Sequence, residues 1–194
     1  MVKFVLTIYT YSMSYRGKWR PNSPNKYEGD HNNIVYRSLW ERQAFRWCDD
    51  NPNIKSWGSE TVVVPYISKV DGKRHRYFVD LKITFTSGKT ILVEIKPKKQ
   101  TVKPKKSARK TKKYIKEVYT YGTNTSKWEY AERYAENKGW SFEIWTEEKL
   151  QSLGIKILKQ DKYSYGKKKR KNSHPIRKNS EKRVPKNIST KKPK

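Results

Sequence analysis

The segment YFVDLKITFTSGKTILVEIKPKK, Tyr77 to Lys99, reads as two strands joined by a tight turn. Apolar and polar residues alternate with a period of two on both sides of the Thr86-Ser87-Gly88-Lys89 turn, a hairpin pattern. In the later strand Ile91, Val93 and Ile95 take one face, and Leu92, Glu94 and Lys96 the other. In the earlier strand Phe78, Asp80, Lys82 and Thr84 share a face. Pairing through the short turn brings Asp80 close to Glu94 and Lys96, so two carboxylates and an ammonium converge. A surface ion pair between Glu94 and Lys96 is the plainer account of such a pattern. Two features argue for a site instead: the acids lie within apolar strands, and strongly basic segments flank them.

The elements around this hairpin set its context. Residues 60–66, ETVVVPY, read as a strand, followed by a turn on Asp71-Gly72 and by the strand that carries Asp80. Upstream, residues 32–53 read as a helix, with Asn32 or Asn33 as its cap and Asn51-Pro52 as its stop. Val35, Tyr36, Leu39, Trp40, Gln43, Ala44 and Trp47 would form its apolar face. Downstream, YIKEVYTYG reads as a short helix ending at Gly122. TNTSKWEYAERYAENKGW is a second helix, with Trp128, Ala131, Tyr134 and Ala135 on its apolar side and Gly139 at its end. SFEIW is a fourth strand, and TEEKLQSLG a last helix capped by Thr146. The order is helix, three-strand meander, helix, strand: an α/β fold in which a crossover helix returns the fourth strand to the sheet.

Charge sets the partner. Among 194 residues, 46 Lys and Arg face 18 Asp and Glu, a net charge of +28. Residues 96–116 hold 11 of the cations and no acid; residues 159–194 hold 15 cations against Asp161 and Glu181. A nearly balanced domain, residues 33–158, therefore carries a basic loop at 97–113 and a basic tail at 159–194, preceded by an extension and basic arm at 1–32. The arm is read as extended from Met13 onward, and residues 1–12 as an upstream extension; their short apolar stretch lacks a small-residue cleavage site. The tail has too few apolar residues to offset its ordering entropy, and is expected to be disordered and to bind DNA by counterion release. Such an excess suits a polyanion, foremost double-stranded DNA. No apolar run approaches the ~20 residues of a membrane span. One cysteine, Cys48, and three scattered histidines exclude an internal disulfide and zinc-site spacing.

Paired carboxylates beside a lysine suit a divalent cation that shares its site with a phosphate. The lysine would orient a water or stabilise charge on the phosphate. Without the cation the two acids repel, and one tends to hold a proton. Glu41 is a further candidate. On a helix it neighbours Ala44, Phe45 and Cys48, which turns it toward a cleft; an ion pair with Arg37 is the equal alternative.

The spacing D-x13-E-x-K after a helix bearing Glu resembles the PD-(D/E)-x-K nucleases, with Val79 where Pro is common. KYEG, IVYRSLWERQAFRWCDDNPNI, WGSETVVVPY, VDGKRHRYFVD, VEIKPKKQT and NTSKWEYAERYAENKGW, across residues 13–153, more closely resemble the head-completion nucleases of T4-like tailed phages. That family is similar to the endonuclease subunit of Tn7-type transposition. The resemblance implies a restriction-endonuclease-like core and a Mg²⁺-dependent DNase, with Mn²⁺ as a substitute and no small-molecule cofactor. It would act on packaged DNA in the host cytoplasm during head completion, with phage head and neck proteins as partners and the virion as a possible further location. Carried over, Asp80 and Glu94 would bind metal, Lys96 would assist the attacking water, and Glu41 would complete the acidic cluster. Lys98, Lys99, Gln100, Lys103, Lys105, Lys106 and Lys127 are the candidate DNA contacts; Gln100 could instead hold a water ligand. His75, Arg76 and Tyr77 read as a packed strand entry or as substrate-side residues. The competing function is a non-catalytic DNA-binding structural protein. It would gain nothing from acids aimed at a phosphate.

Overall fold

A computed structural model describes residues 16–157. The expectations for residues 1–15 and for the tail at 159–194 lie outside the described residues. The elements, in order, are β1 (Gly17–Trp19), β2 (Ile34–Tyr36), α1 (Leu39–Asp50), β3 (Ile54–Gly58), β4 (Val63–Ile67), β5 (Arg74–Phe78), β6 (Leu81–Phe85), β7 (Thr90–Ile95), α2 (Lys98–Thr101), α3 (Lys112–Glu136), β8 (Ser141–Trp145) and α4 (Glu147–Ser152). The central sheet runs β3-β6-β7-β8. Its first three strands form an antiparallel meander, and β8 joins β7 in parallel after the α3 crossover. The fold is thus mixed α/β, with the order helix, meander, helix, strand.

β7 is buried along its whole length because it separates two apolar layers. Ile91, Val93 and Ile95 join Trp40, Ala44, Phe45, Cys48 and Trp145 on the side of α1. Leu92 joins Val64, Tyr77, Ala131 and Ala135 on the side of α3. The period-two alternation is therefore realised with both faces covered, which explains a strand so apolar. Glu94 and Lys96 fall on the α3 side.

The meander differs from the sequence reading in its membership. Residues 54–58, IKSWG, form β3, which the Gly and Lys content hides; Trp57 on it is fully buried. The run from His75 to Phe85 is not one strand. β4 and β5 pair only with each other, as a separate ribbon packed on α3, and the chain breaks at Val79-Asp80 before entering the sheet as β6.

The helix expected at 32–53 begins only at Leu39. Ser38, and not Asn32 or Asn33, caps it: the Ser38 Oγ accepts the Glu41 amide at 3.2 Å. Ile34 and Tyr36 are buried as strand residues instead, on β2, which pairs with β1. The arm from Arg16 onward folds back on the domain. Asp49, buried in the last turn of α1, accepts the amides of Asn22 at 2.6 Å and Ser23 at 3.2 Å, and Lys26 donates to the carbonyls of Asp49 and Asn51.

The two helices expected on either side of Gly122 are one helix of 25 residues. A helix interior tolerates this glycine because the ribbon turn presses against it: a Cβ there would lie 2.9 Å from Val70 Cγ2. Ser126 donates from its hydroxyl to the Gly122 carbonyl and accepts the Lys69 amide, which ties the same turn down. The basic loop is irregular between the single turn α2, which Pro97 opens, and Thr111, which caps α3 so that Lys112 and Lys113 are already helical.

Candidate active site

The break at Val79-Asp80 builds the site. Val79 donates its amide to Val62 and accepts the Glu60 amide, so it belongs to the ribbon's hydrogen bonding. Two residues later Leu81 pairs with Val93 in the central sheet. Continuing that antiparallel register would set Val79 opposite Ile95, but Val79 is already committed. The Ile95 amide is left without a ladder acceptor, and the Asp80 Oδ2 takes it at 2.8 Å. The carboxylate thus stands where a strand carbonyl would have been.

Lys96 then joins the two acids. Its Nζ lies 2.8 Å from Glu94 Oε1 and 3.7 Å from Asp80 Oδ2. Glu94 is 1% exposed, and its second oxygen accepts the Tyr77 hydroxyl at 2.6 Å. Two carboxylates against one ammonium is an unbalanced charge in a largely buried place. Burial drives the Asp80 carboxyl well above the usual carboxylate range, the Glu94 charge pushes it further, and Lys96 only partly offsets them. Burial works against the Lys96 ammonium, but the charges of Asp80 and Glu94 outweigh it and hold the lysine protonated. Burial, reinforced by the Glu94 charge, likewise keeps the Tyr77 phenol protonated as a donor.

Glu41 stands beside this group rather than in it. Its Oε2 accepts the Arg37 amide at 2.7 Å and its Oε1 the Ser38 hydroxyl at 2.9 Å, which closes the start of α1. Burial raises its carboxyl, and the Lys96 charge acts in the opposite sense. The ion pair considered for Glu41 and Arg37 is replaced by one between Arg37 and Glu60, at 2.8 Å. Glu60 holds a left-handed backbone, φ 54°, the one non-glycine among the described residues to do so. It does so next to the break that delivers Asp80.

Among the described residues, no three Asp, Glu, His or Cys side chains gather around one point as a ready-made metal cage. The donor set still fits a divalent cation of the magnesium kind, which usually takes only one or two carboxylates and leaves other positions to water and phosphate. The strained ionisation of Asp80 is the matching observation, since an added cation would relieve it.

The candidate DNA contacts are spread more widely. Lys98 pairs with Glu148 and Lys99 with Glu117, while Lys103, Lys105 and Lys106 are exposed on the loop. Gln100 is half-buried just after Pro97. Lys127 lies over the Tyr77 ring, 5.4 Å from its centre, and Trp128 is buried as a core residue. Tyr77, named in the sequence only as strand entry or substrate-side residue, and the Arg37–Glu60 pair, which the sequence does not suggest, both belong to the site's surroundings. For Tyr77 a signal existed: it shares the parity of a buried strand face and leads into Asp80.

Tyr77→Phe is expected to leave the Glu94 Oε2 buried without a donor. The loss should be about 1.5–3 kcal/mol of stability in urea unfolding, the range for a hydrogen bond to a charged group.

The comparisons with known proteins agree with this architecture. Residues 51–147 match the family described as TnsA-like endonuclease N terminal, a span that includes Asp80, Glu94 and Lys96. The chain belongs to that family of endonucleases. It is also 47% identical over 148 residues to the head completion nuclease of Enterobacteria phage T4, covering 74% of this chain and 99% of that protein. No solved structure matches. Among the described residues, no helix is long and apolar enough to cross a membrane.

Proposed function

We propose that this protein is a divalent-cation-dependent deoxyribonuclease that hydrolyses phosphodiester bonds in phage DNA during head completion. The observation that carries the reading is the junction of Asp80, Glu94 and Lys96 at the strand switch, with one acid held above its usual range. The name of the T4 relative supports the setting, and the positive charge of the chain supports double-stranded DNA as substrate.

In this reading Asp80 and Glu94 hold the cation, Mg²⁺ or Mn²⁺, with Glu41 contributing charge from the margin. When bound, such a cation neutralises phosphate charge and lowers the pKa of a bound water. Lys96, protonated and fixed by both carboxylates, stabilises negative charge on the phosphate or orients the attacking water. Tyr77 holds the Glu94 carboxylate in one orientation. The exposed lysines of the 97–113 loop draw the duplex in.

The test is cleavage of linear and circular DNA with Mg²⁺, Mn²⁺ or EDTA. Products in the presence of either cation and none in EDTA would support the reading. Tight DNA binding without cleavage under any of these conditions would leave a structural DNA-binding protein. The two substrates also separate internal cutting from digestion at ends.

A further inference from the structure

The β4–β5 ribbon presents a face that no other element covers among the described residues. Its inner residues, Val64, Tyr66 and Tyr77, are buried against α3. The outer residues pair across the ribbon as Val63 with Phe78, Pro65 with Arg76, and Ile67 with Arg74. The apolar ones are well exposed: Phe78 by 43%, Val63 by 39% and Ile67 by 52%. Arg74 and Arg76 are exposed, and neither meets an acid among the described residues; Arg76 lies over the Phe78 ring at 5.7 Å. The one acid between residues 62 and 78, Asp71, is engaged by His75.

We propose that this outer face grips the DNA duplex beside the scissile phosphate, with Arg74 and Arg76 on phosphates and Phe78 and Val63 against the groove wall. The inference rests on the nuclease reading and goes beyond it by naming the element that positions substrate. Two surplus guanidiniums complement a phosphate backbone and would be poorly matched to an apolar protein partner. A two-stranded ribbon is also a shape that the major groove admits. The ribbon is anchored: its turn is bonded to Ser126 and packed on Gly122, so little ordering is required on binding. Chain continuity sets the distance. Arg76 precedes Asp80 by four residues, at most ~14 Å, well inside one ~34 Å turn of duplex.

The test uses the full chain and a short labelled duplex, with binding followed by fluorescence anisotropy in EDTA across a salt series. Arg74→Gln/Arg76→Gln is expected to bind about tenfold more weakly at moderate salt. Its plot of log affinity against log salt should flatten by roughly 1.8, two phosphates at ~0.9 each. In cleavage, KM should rise while turnover at saturating DNA is retained. Phe78→Ala should weaken binding without changing the slope. Lys55→Gln/Lys89→Gln removes the same charge at the opposite end of β6 and should behave like the parent. A parental slope and affinity in the arginine variant, or an equal loss in the Lys55/Lys89 control, would overturn the proposal while leaving the nuclease intact. A parent protein that neither binds nor cuts DNA would end both readings.

Discussion

Asp80→Asn is expected to lose cation-dependent DNA cleavage by about 10³-fold or more, yet to melt at a higher temperature than the parent in EDTA at neutral pH. The substitution keeps the shape and an oxygen for the Ile95 amide, which the carboxylate now accepts at 2.8 Å. It removes an ion that burial and the Glu94 charge disfavour. The sign follows from the raised pKa. Below the unfolded value, about 3.9, the parent's Asp80 is protonated folded or unfolded, and the two proteins should melt alike. Above that value the unfolded chain ionises while the folded site still holds its proton, so the parent loses stability relative to the variant as pH rises, and the loss levels off once pH has passed the higher folded value. Thermal melts in EDTA at several pH values, beside a plasmid cleavage assay, read both effects. Parental cleavage by the variant would remove Asp80 from the chemistry, and a lower neutral-pH melt would mean that the ion stabilises the fold.

Lys96→Met should be the opposite kind of lesion. The side chain is only 22% exposed and bridges Glu94 and Asp80. Met fills the space of the stem but leaves two carboxylates without their cation. Removing one partner of a buried ion pair costs roughly 3 kcal/mol, and urea unfolding in EDTA should show a loss of that order. Cleavage should fall far more than duplex affinity, because many other cations hold phosphates. Adding Asp80→Asn to Lys96→Met should restore part of the lost stability, a coupling that additive sites would not show. Affinity falling in parallel with rate would instead make Lys96 a phosphate anchor.

The convergence of Asp80, Glu94 and Lys96 was legible because period-two alternation is a local rule. Once the turn at Gly88 fixes the pairing, Asp80, Glu94 and Lys96 follow from counting. What the sequence does not display is the switch between two sheets at Val79-Asp80. Alternation runs unbroken from His75 to Phe85, and only tertiary hydrogen bonding divides it into β5 and β6. The helix around Gly122 fails for a related reason. A glycine reads as a stop when the contact that requires it, the Val70 side chain, lies about fifty residues away in the chain. The apolar run IVY before α1 looks helical by position and is a strand because β1 offers it a partner. Glu41 shows the limit of face counting. The helical spacing leaves a cleft-facing side chain and an ion pair with Arg37 equally open, and the oxygens are instead taken by backbone and hydroxyl donors at the helix start.

The borrowed acceptor at the strand switch gives the protein a local clock. Most amides of β7 are held in ladders to β6 and β8, and such protons trade for deuterium only when the sheet comes apart. The Ile95 proton is held by a side chain instead, one whose grip changes with its own charge. Its exchange can therefore run faster than that of its neighbours without any loss of the fold. A cation that fixes Asp80 should slow this one proton selectively, so that occupancy of the site becomes visible in the backbone without a single bond being cut in DNA.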